Sequence, residues 1–238
     1  MFGRVYQYGD CIKVIWFKYG ICPDGLRFDD DAECVCNDEK LSNNIARARS
    51  RVLELALCNP WEWFVTLTID GTKQDRSDLD EYVKDLGNWI GNFNKKYKCS
   101  MKYLLVPELH NDGKSWHMHG LLHDVPDEAL VRNVFGYWDV PYYRNRFGYI
   151  SLSAVKSHER VSHYITKYIS KSMSARIGDK AKHLFYSSKK LDGRELVVEC
   201  RNMPILSGAY EGEYTLSKWV SNPDEVATAM GLITESTF

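Results

Sequence analysis

Several signals that would place the chain in a familiar class are missing from its 238 residues. No apolar run approaches the roughly 20 residues of a membrane-spanning helix, so we expect no membrane association. The first residues contain no uninterrupted apolar segment after a basic start, so we expect no secretory signal and a cytoplasmic protein. No GxxxxGK[ST] loop is present, which argues against an ATP-driven step. The seven cysteines are an odd number, which fits reduced thiols better than a disulfide framework.

Net charge is also nearly absent, because the formal total is −1. The charge is unevenly placed, however. Residues 24–39 carry seven acids and one base, and residues 155–195 carry ten Lys or Arg against four acids. We interpret the acidic segment as an exposed loop and the basic one, which includes Lys189 and Lys190, as a surface for phosphate groups. Arg47 and Arg51 share one face of a predicted helix; they either contact phosphates as well or form an ordinary solvated face.

The order of the predicted elements indicates an α+β fold, with an antiparallel sheet and helices packed on one of its faces. Strands are predicted within residues 5–19, 61–70 and 147–153. Helices are predicted from Ser42 to Pro60 and over residues 78–97 and 126–134, and residues 137–146 are predicted to form a loop. We place domain limits at 1–60, 61–200 and 201–238, although these parts can also form one continuous domain.

A β-hairpin with two histidines is predicted in the middle of the chain. Residues 102–110 and 116–122 are strand-like, and residues 111–114 have turn chemistry. His117 and His119 alternate along one strand, so they lie on the same face about 7 Å apart and can bind one metal ion. If the turn closes symmetrically, Glu108 lies opposite His117 and supplies a third ligand. A slip of one residue would turn Glu108 away, and a chance pair of polar residues is the alternative interpretation.

A second cluster of reactive side chains lies on the helix predicted for residues 158–173. Tyr164, Lys167, Tyr168 and Lys171 follow one another at helical spacing and share one face. A tyrosine hydroxyl can attack a phosphodiester if a metal polarises the phosphate and a cation favours the phenolate. A solvated face with packed aromatic rings is the alternative.

Three segments together resemble a known superfamily. FVTLT at residues 64–68, HMHGLL at residues 117–122 and YITKYISK at residues 164–171 are similar to the three ordered motifs of HUH endonucleases. The chain most resembles rolling-circle replication initiation proteins of single-stranded DNA phages and related plasmids. The segment FYSSKKLDG at residues 185–193 is also similar to a stretch of the phage proteins.

The resemblance implies a ferredoxin-like or RRM-like core, in which an antiparallel sheet of about five strands is central. It implies that His117 and His119 bind a divalent ion, Mg or Mn, with Glu108 as a third ligand. Tyr164 or Tyr168 would be the nucleophile, and Lys167 or Lys171 its basic partner. The family's reaction leaves a 5′-phosphotyrosine and a free 3′-hydroxyl that primes synthesis.

The implied partners are single-stranded origin DNA and the helicase, single-strand binding protein and DNA polymerase of a bacterial host. Two other functions remain open. A transposase or mobilisation relaxase shares the same motifs, although relaxases usually carry three histidines and a tyrosine near the N-terminus. A noncatalytic nucleic-acid binding module would use the histidines structurally, but all three motifs are present in order, which argues against it.

Overall fold

A computed structural model of the chain describes residues 1–18, 37–134, 136–174, 183–212, 215–221 and 223–229. Contacts divide the chain into two compact units. The first unit combines residues 1–36 with residues 192–238, and the second is residues 37–191. The domain limits predicted at residues 60 and 200 stay a prediction. No helix among the described residues is long and apolar enough to cross a membrane.

The secondary structure alternates strands and helices along the chain. The strands in chain order are β1 Phe2–Tyr8, β2 Cys11–Phe17, β3 Trp63–Thr68, β4 Lys102–Leu109, β5 Trp116–His123, β6 Val131–Arg132, β7 Trp138–Asp139, β8 Ile150–Ala154, β9 Tyr186–Ser187, β10 Glu195–Cys200, β11 Tyr210–Glu211 and β12 Thr215–Val220. The helices are α1 Asn37–Leu57, α2 Leu79–Tyr97, α3 Pro141–Arg146, α4 His158–Ser174 and α5 Pro223–Ala229, with a 3₁₀ turn at Asp127–Ala129.

The second unit is built on an antiparallel sheet with the order β6-β7-β8-β3-β5-β4-β9. The α+β class is therefore confirmed. The sheet has seven strands where about five were expected, because the two-residue strands β6, β7 and β9 extend its edges. The histidine strand β5 is central, since it pairs with β3 on one side and with β4 on the other.

Helices cover both faces of this sheet, so the prediction of helices on one face is wrong. On one face, α2 and α3 pack against Val65, Leu67 and Met118. On the other face, α1 and α4 pack against Leu104 and Leu121. The reason lies in the central strands, which carry apolar side chains at successive positions and so present apolar surface on both sides.

The predicted register of the hairpin is confirmed: Glu108 pairs with His117, and His110 donates its backbone N–H to the Ser115 carbonyl at 2.7 Å. Asp112 closes the turn, since its carboxylate accepts the backbone N–H groups of Lys114 at 2.9 Å and Ser115 at 2.8 Å. These donors, with the Ser115 hydroxyl as the first cause, hold the pKa of Asp112 well below its usual range.

The first unit contains a separate antiparallel sheet with the order β10-β1-β2-β12-β11. Residues near the two ends of the chain therefore pair with each other, as when Arg4 lies opposite Glu199. One face of this sheet buries Val5, Val14 and Trp16 in a core that also includes Val226 of α5. The strand prediction for residues 5–19 is confirmed, whereas no prediction placed the C-terminal segment in a sheet.

Three predicted elements differ from the structure. Helix α1 begins at Asn37, before the expected cap at Ser42, because helix-favouring residues precede that serine without a glycine or proline. Residues 126–134 form a 3₁₀ turn and a short strand where a helix was predicted, because the backbone becomes extended at Leu130. Residues 137–146 contain strand β7 and helix α3, and Pro141 at the first turn of α3 suits a helix start. The remainder of the acidic loop, residues 24–36, lies outside the described residues.

Two glycines allow a test of the packing with opposite expected signs. A Cβ added to Gly120 would lie 2.5 Å from the Leu104 carbonyl oxygen and would also meet the Leu105 side chain. We therefore expect Gly120→Ala to lower the free energy of unfolding by about 1–3 kcal/mol. Gly87 lies within α2 with no atom within 4 Å of an added Cβ, so Gly87→Ala should raise it by about 0.4–1 kcal/mol. Urea unfolding of both variants measures this, and a stabilised Gly120→Ala protein would contradict the packing.

Candidate active site

Two threonine hydroxyls orient the two histidines of β5. Strand pairing sets Thr66 opposite His119 and Thr68 opposite His117. The Thr66 hydroxyl is hydrogen-bonded to Nδ1 of His119 at 3.1 Å, and the Thr68 hydroxyl to Nδ1 of His117 at 3.2 Å. Because each Nδ1 is engaged by a hydroxyl, Nε2 is the ring nitrogen of each histidine that can bind a ligand. A partner of this kind fixes the ring orientation of metal-binding histidines.

Glu108 reaches the same face from the neighbouring strand. Its Oε2 lies 2.8 Å from Nε2 of His119, and both side chains are mostly buried. Neighbouring ligands of an octahedral ion at about 2.1 Å stand about 3 Å apart, so this pair has the separation of two adjacent ligands. A carboxylate and two imidazoles are donors that divalent ions accept. In donor type and in this spacing, the residues fit a divalent ion.

His117 is less closely drawn into this arrangement than His119. Its ring stacks on that of His110, with centroids 5.0 Å apart. Burial, followed by the nearby His110, lowers the pKa of His117, so its neutral form is favoured. Among the described residues, no group of three or more His, Cys, Asp or Glu is arranged as a metal-binding cluster. Glu108 and His119 are thus brought together, while His117 lies beside them on the same face.

Helix α4 brings both tyrosines to this face of the sheet. The ring of Tyr168 stacks on the imidazole of His119, with centroids 3.9 Å apart and planes at 14°. The Tyr168 hydroxyl donates a hydrogen bond to the Tyr164 hydroxyl at 2.8 Å. Phe64 completes the cluster, since its ring lies 5.5 Å from that of Tyr164. Two phenols are therefore adjacent to the histidines and the carboxylate.

The two tyrosines have different environments, a distinction that helical spacing alone could not make. Tyr164 is 43% exposed, whereas Tyr168 is 8% exposed and belongs to the core between α1, α4 and the sheet. Burial, with the hydrogen bond to Tyr164 as the next cause, raises the pKa of Tyr168. Tyr164 is therefore the phenol that a substrate in solution can reach.

Of the predicted basic residues, Lys167 is placed beside a phenol, with its Nζ 5.1 Å from the centre of the Tyr164 ring. Lys171 belongs to α4, but its side chain lies outside the described part of the structure. The predicted DNA contacts Arg47, Arg51, Lys189 and Lys190 are exposed. Arg51 forms an ion pair with Glu54 at 2.5 Å, so its charge is partly balanced.

Sequence reasoning missed the roles of Thr66 and Thr68 and the contacts of Phe64 and His110. The two threonine side chains were seen to share a strand face, but threonine is common in strands. Their partners become visible only when the β3–β5 register is known. His110 has the parity of Glu108 along β4, so the hairpin register would have placed it beside His117.

A known protein family matches the part of the chain that contains this site. Residues 62–173 match the family model of the replication-associated protein ORF2. The match covers somewhat less than half of the chain and includes β3, the histidine hairpin and most of α4. It supports a role of this chain in replication. No curated protein and no solved structure shows a significant match to the chain.

Chemical nitration can test the difference between the two tyrosines. Tetranitromethane reacts with exposed phenolate, so we expect Tyr164 to be nitrated well before Tyr168, which is buried and has a raised pKa. Tyr149, which is 68% exposed, is the reactive control, and the fully buried Tyr143 is the unreactive one. Peptide mass spectrometry over time measures each rate. Faster nitration of Tyr168 than of Tyr164 would contradict the arrangement of α4.

Proposed function

We propose that the chain is a replication initiator that nicks and rejoins single-stranded DNA by tyrosine transesterification in rolling-circle replication. The observation that carries the proposal is the stacking of Tyr168 on His119 at 3.9 Å, because it joins the tyrosine helix to the histidine hairpin in one site. The match to a replication-associated family over the same segment supports it. The proposal is specific about the nucleophile, the metal ligands and the DNA contacts.

Tyr164 is the proposed nucleophile for the first cut. Its phenolic oxygen attacks the scissile phosphorus and loses its proton to solvent, and the bond from phosphorus to the 3′ oxygen breaks. The 3′ oxygen takes up a proton, so the products are a 5′-phosphotyrosine and a free 3′-hydroxyl. The hydrogen bond donated by Tyr168 and the charge of Lys167 both favour negative charge on the Tyr164 oxygen.

Tyr168 is the proposed nucleophile for the second cut, which would let one phenol hold a DNA end while the other acts. Its burial requires the Tyr168–Tyr164 hydrogen bond to open first, and formation of the first phosphotyrosine would remove that hydroxyl as a partner. Attack of a 3′-hydroxyl on a phosphotyrosine reverses the first step and rejoins the strand. No water and no nucleotide triphosphate are consumed in either direction.

The metal would be Mg or Mn. Nε2 of His117, Nε2 of His119 and the carboxylate of Glu108 would hold it, and it would draw negative charge from the scissile phosphate. The protein's own part is to fix these donors: Thr66 and Thr68 set the imidazole rings, and the β4–β5 register sets the carboxylate.

Single-stranded origin DNA is the proposed substrate. Arg47, Arg51, Lys189 and Lys190 are the proposed phosphate contacts, and α1 packs on the same face of the sheet as α4. A host helicase would open the duplex, since the chain has no ATP-binding loop, and host single-strand binding protein and DNA polymerase would act on the products. This places the reaction in the cytoplasm of a bacterial cell.

The first test of the nucleophile uses the two tyrosines separately. Single-stranded oligonucleotides from a randomised library would be incubated with protein and Mn²⁺, and SDS-resistant adducts isolated and mapped. We expect Tyr168→Phe to retain the first adduct at Tyr164, Tyr164→Phe to lose most of it, and the double variant to form none. DNA attached to neither tyrosine would overturn the assignment.

The second test concerns the metal ligands. We expect His117→Ala and His119→Ala each to abolish metal-dependent adduct formation, and Thr66→Val to weaken Mn²⁺ binding about 10–100-fold because the His119 ring loses its partner. Thr66→Ser should restore binding. His123→Ala, on the same strand beside Glu62, is the control and should behave as the unaltered protein. Adduct yield and calorimetric titration with Mn²⁺ measure the two effects, and a His117/His119 double variant with unchanged nicking would place the site elsewhere.

A further inference from the structure

The sheet of the first unit carries aromatic and cationic side chains together on one of its faces. Val5, Val14 and Trp16 point into the core, so the alternate residues of β1 and β2 lie on the opposite face. We call this opposite face the aromatic face. Its members that matter here are Phe2, Arg4, Tyr6, Tyr8, Lys13, Phe17, Arg194 and Trp219.

The rings of this face form two neighbouring pairs. Phe2 and Phe17 lie opposite each other across β1 and β2, with centroids 5.9 Å apart. Tyr8 and Trp219 meet edge to face at 5.1 Å. Trp219 is 37% exposed, which is unusual for the largest apolar side chain and leaves part of its ring available for stacking.

Cations lie over these rings. Nζ of Lys13 is 5.0 Å from the centre of the Trp219 ring, and the Arg194 guanidinium is 4.2 Å from the centre of the Tyr6 ring. Arg194 also donates a hydrogen bond to the Tyr8 hydroxyl at 2.8 Å. Cations at these distances are attracted by the ring faces, so they hold the rings in place and present positive charge beside them.

The positive charge at Lys13 is not balanced by a nearby acid. Among the described residues, no carboxylate forms an ion pair with Lys13, whereas Arg4 is paired with Glu199 at 2.6 Å. Burial lowers the pKa of Lys13, and the charge of Arg194 lowers it further. Two cations held close together on a partly apolar surface would be stabilised by an anion between them.

We propose that the aromatic face binds single-stranded DNA, with bases stacked on its exposed rings and the phosphate backbone at Lys13 and Arg194. Stacking platforms bordered by basic side chains are how sheets hold single strands without sequence preference. The choice of DNA over RNA rests on the proposed function. The residues of this face lie in a different unit from Arg47, Arg51, Lys189 and Lys190, so the surface is additional to those contacts.

The binding test is separated from nicking by its design. The full chain carrying Tyr164→Phe and Tyr168→Phe, without divalent ions, would be titrated into fluorescein-labelled oligothymidylate of about 20 nucleotides, which spans more than one typical site. Fluorescence anisotropy at several salt concentrations gives affinity and salt slope. A failure of adduct formation in the unaltered protein then leaves this measurement intact, and the reverse also holds.

Three variants and one control decide the outcome. Trp219→Leu and Lys13→Met should each weaken binding about five-fold or more, and Trp219→Phe, which keeps a ring, should retain most of it. Lys13→Met should also lower the salt slope by about 0.7, the value for one phosphate contact on a single strand. Lys96→Met is the matched control, because Lys96 also lies over a ring, Tyr142 at 4.5 Å, in the other unit. Circular dichroism confirms folding, and Lys13→Met decides the case if Trp219→Leu is unfolded.

Three results would overturn the proposal. The first is unchanged affinity and salt slope in Lys13→Met. The second is tighter binding of oligouridylate than of oligothymidylate, which would identify RNA as the ligand. The third is a dimer in light scattering that Lys13→Met or Trp219→Leu dissociates, which would mean that a second copy of the chain occupies the aromatic face.

Discussion

The pairing of β5 with both of its neighbours is the constraint on which the rest of the candidate site depends. The β3 register supplies a hydroxyl to each imidazole, and the β4 register supplies the carboxylate. A slip of one residue on either side would replace these partners with side chains of the opposite face. Asp112 secures the β4 side by capping the turn, and Gly120 secures it by allowing the β4 backbone to approach closely.

Tyr168 couples this sheet to the helix above it, because one side chain serves both the core and the site. Its ring belongs to the core with Ile165 and Ile169, and its face stacks on His119. The depth at which α4 packs therefore sets the position of the Tyr164 hydroxyl, which accepts the hydrogen bond from Tyr168. Packing on one turn of the helix thus positions a reactive group on the preceding turn.

The sequence predicted those parts of the fold and site that depend on local chemistry. Turn residues at 111–114 fixed the hairpin register, and helical spacing placed Tyr164 and Tyr168 on one face of α4. What depends on distant partners was not predictable in the same way. The pairing of Arg4 with Glu199 joins residues far apart in the chain, and no local pattern marks it. The unequal burial of Tyr164 and Tyr168 arises from the packing of α1 and the sheet, which identical Tyr-x-x-Lys spacing cannot distinguish. The error over residues 126–134 has the same origin, because Val131 and Arg132 pair with β7 at the sheet edge although acidic residues in a first turn favour a helix locally.

The two sheets differ in how their faces are used, and this difference bears on how a strand could be both held and cut. In the second unit, helices pack on both faces, so reactive groups are confined to the gap where α4 meets the strands. In the first unit, the core with Val226 of α5 forms on one face, and the other carries rings and cations. A confined site suits chemistry at one phosphate, whereas a broad stacking surface suits binding of several nucleotides without reaction. If each unit binds one part of the same strand, linkage raises the effective concentration of DNA at the tyrosines, so loss of the aromatic face would reduce adduct yield at low DNA concentration and leave it unchanged at saturation.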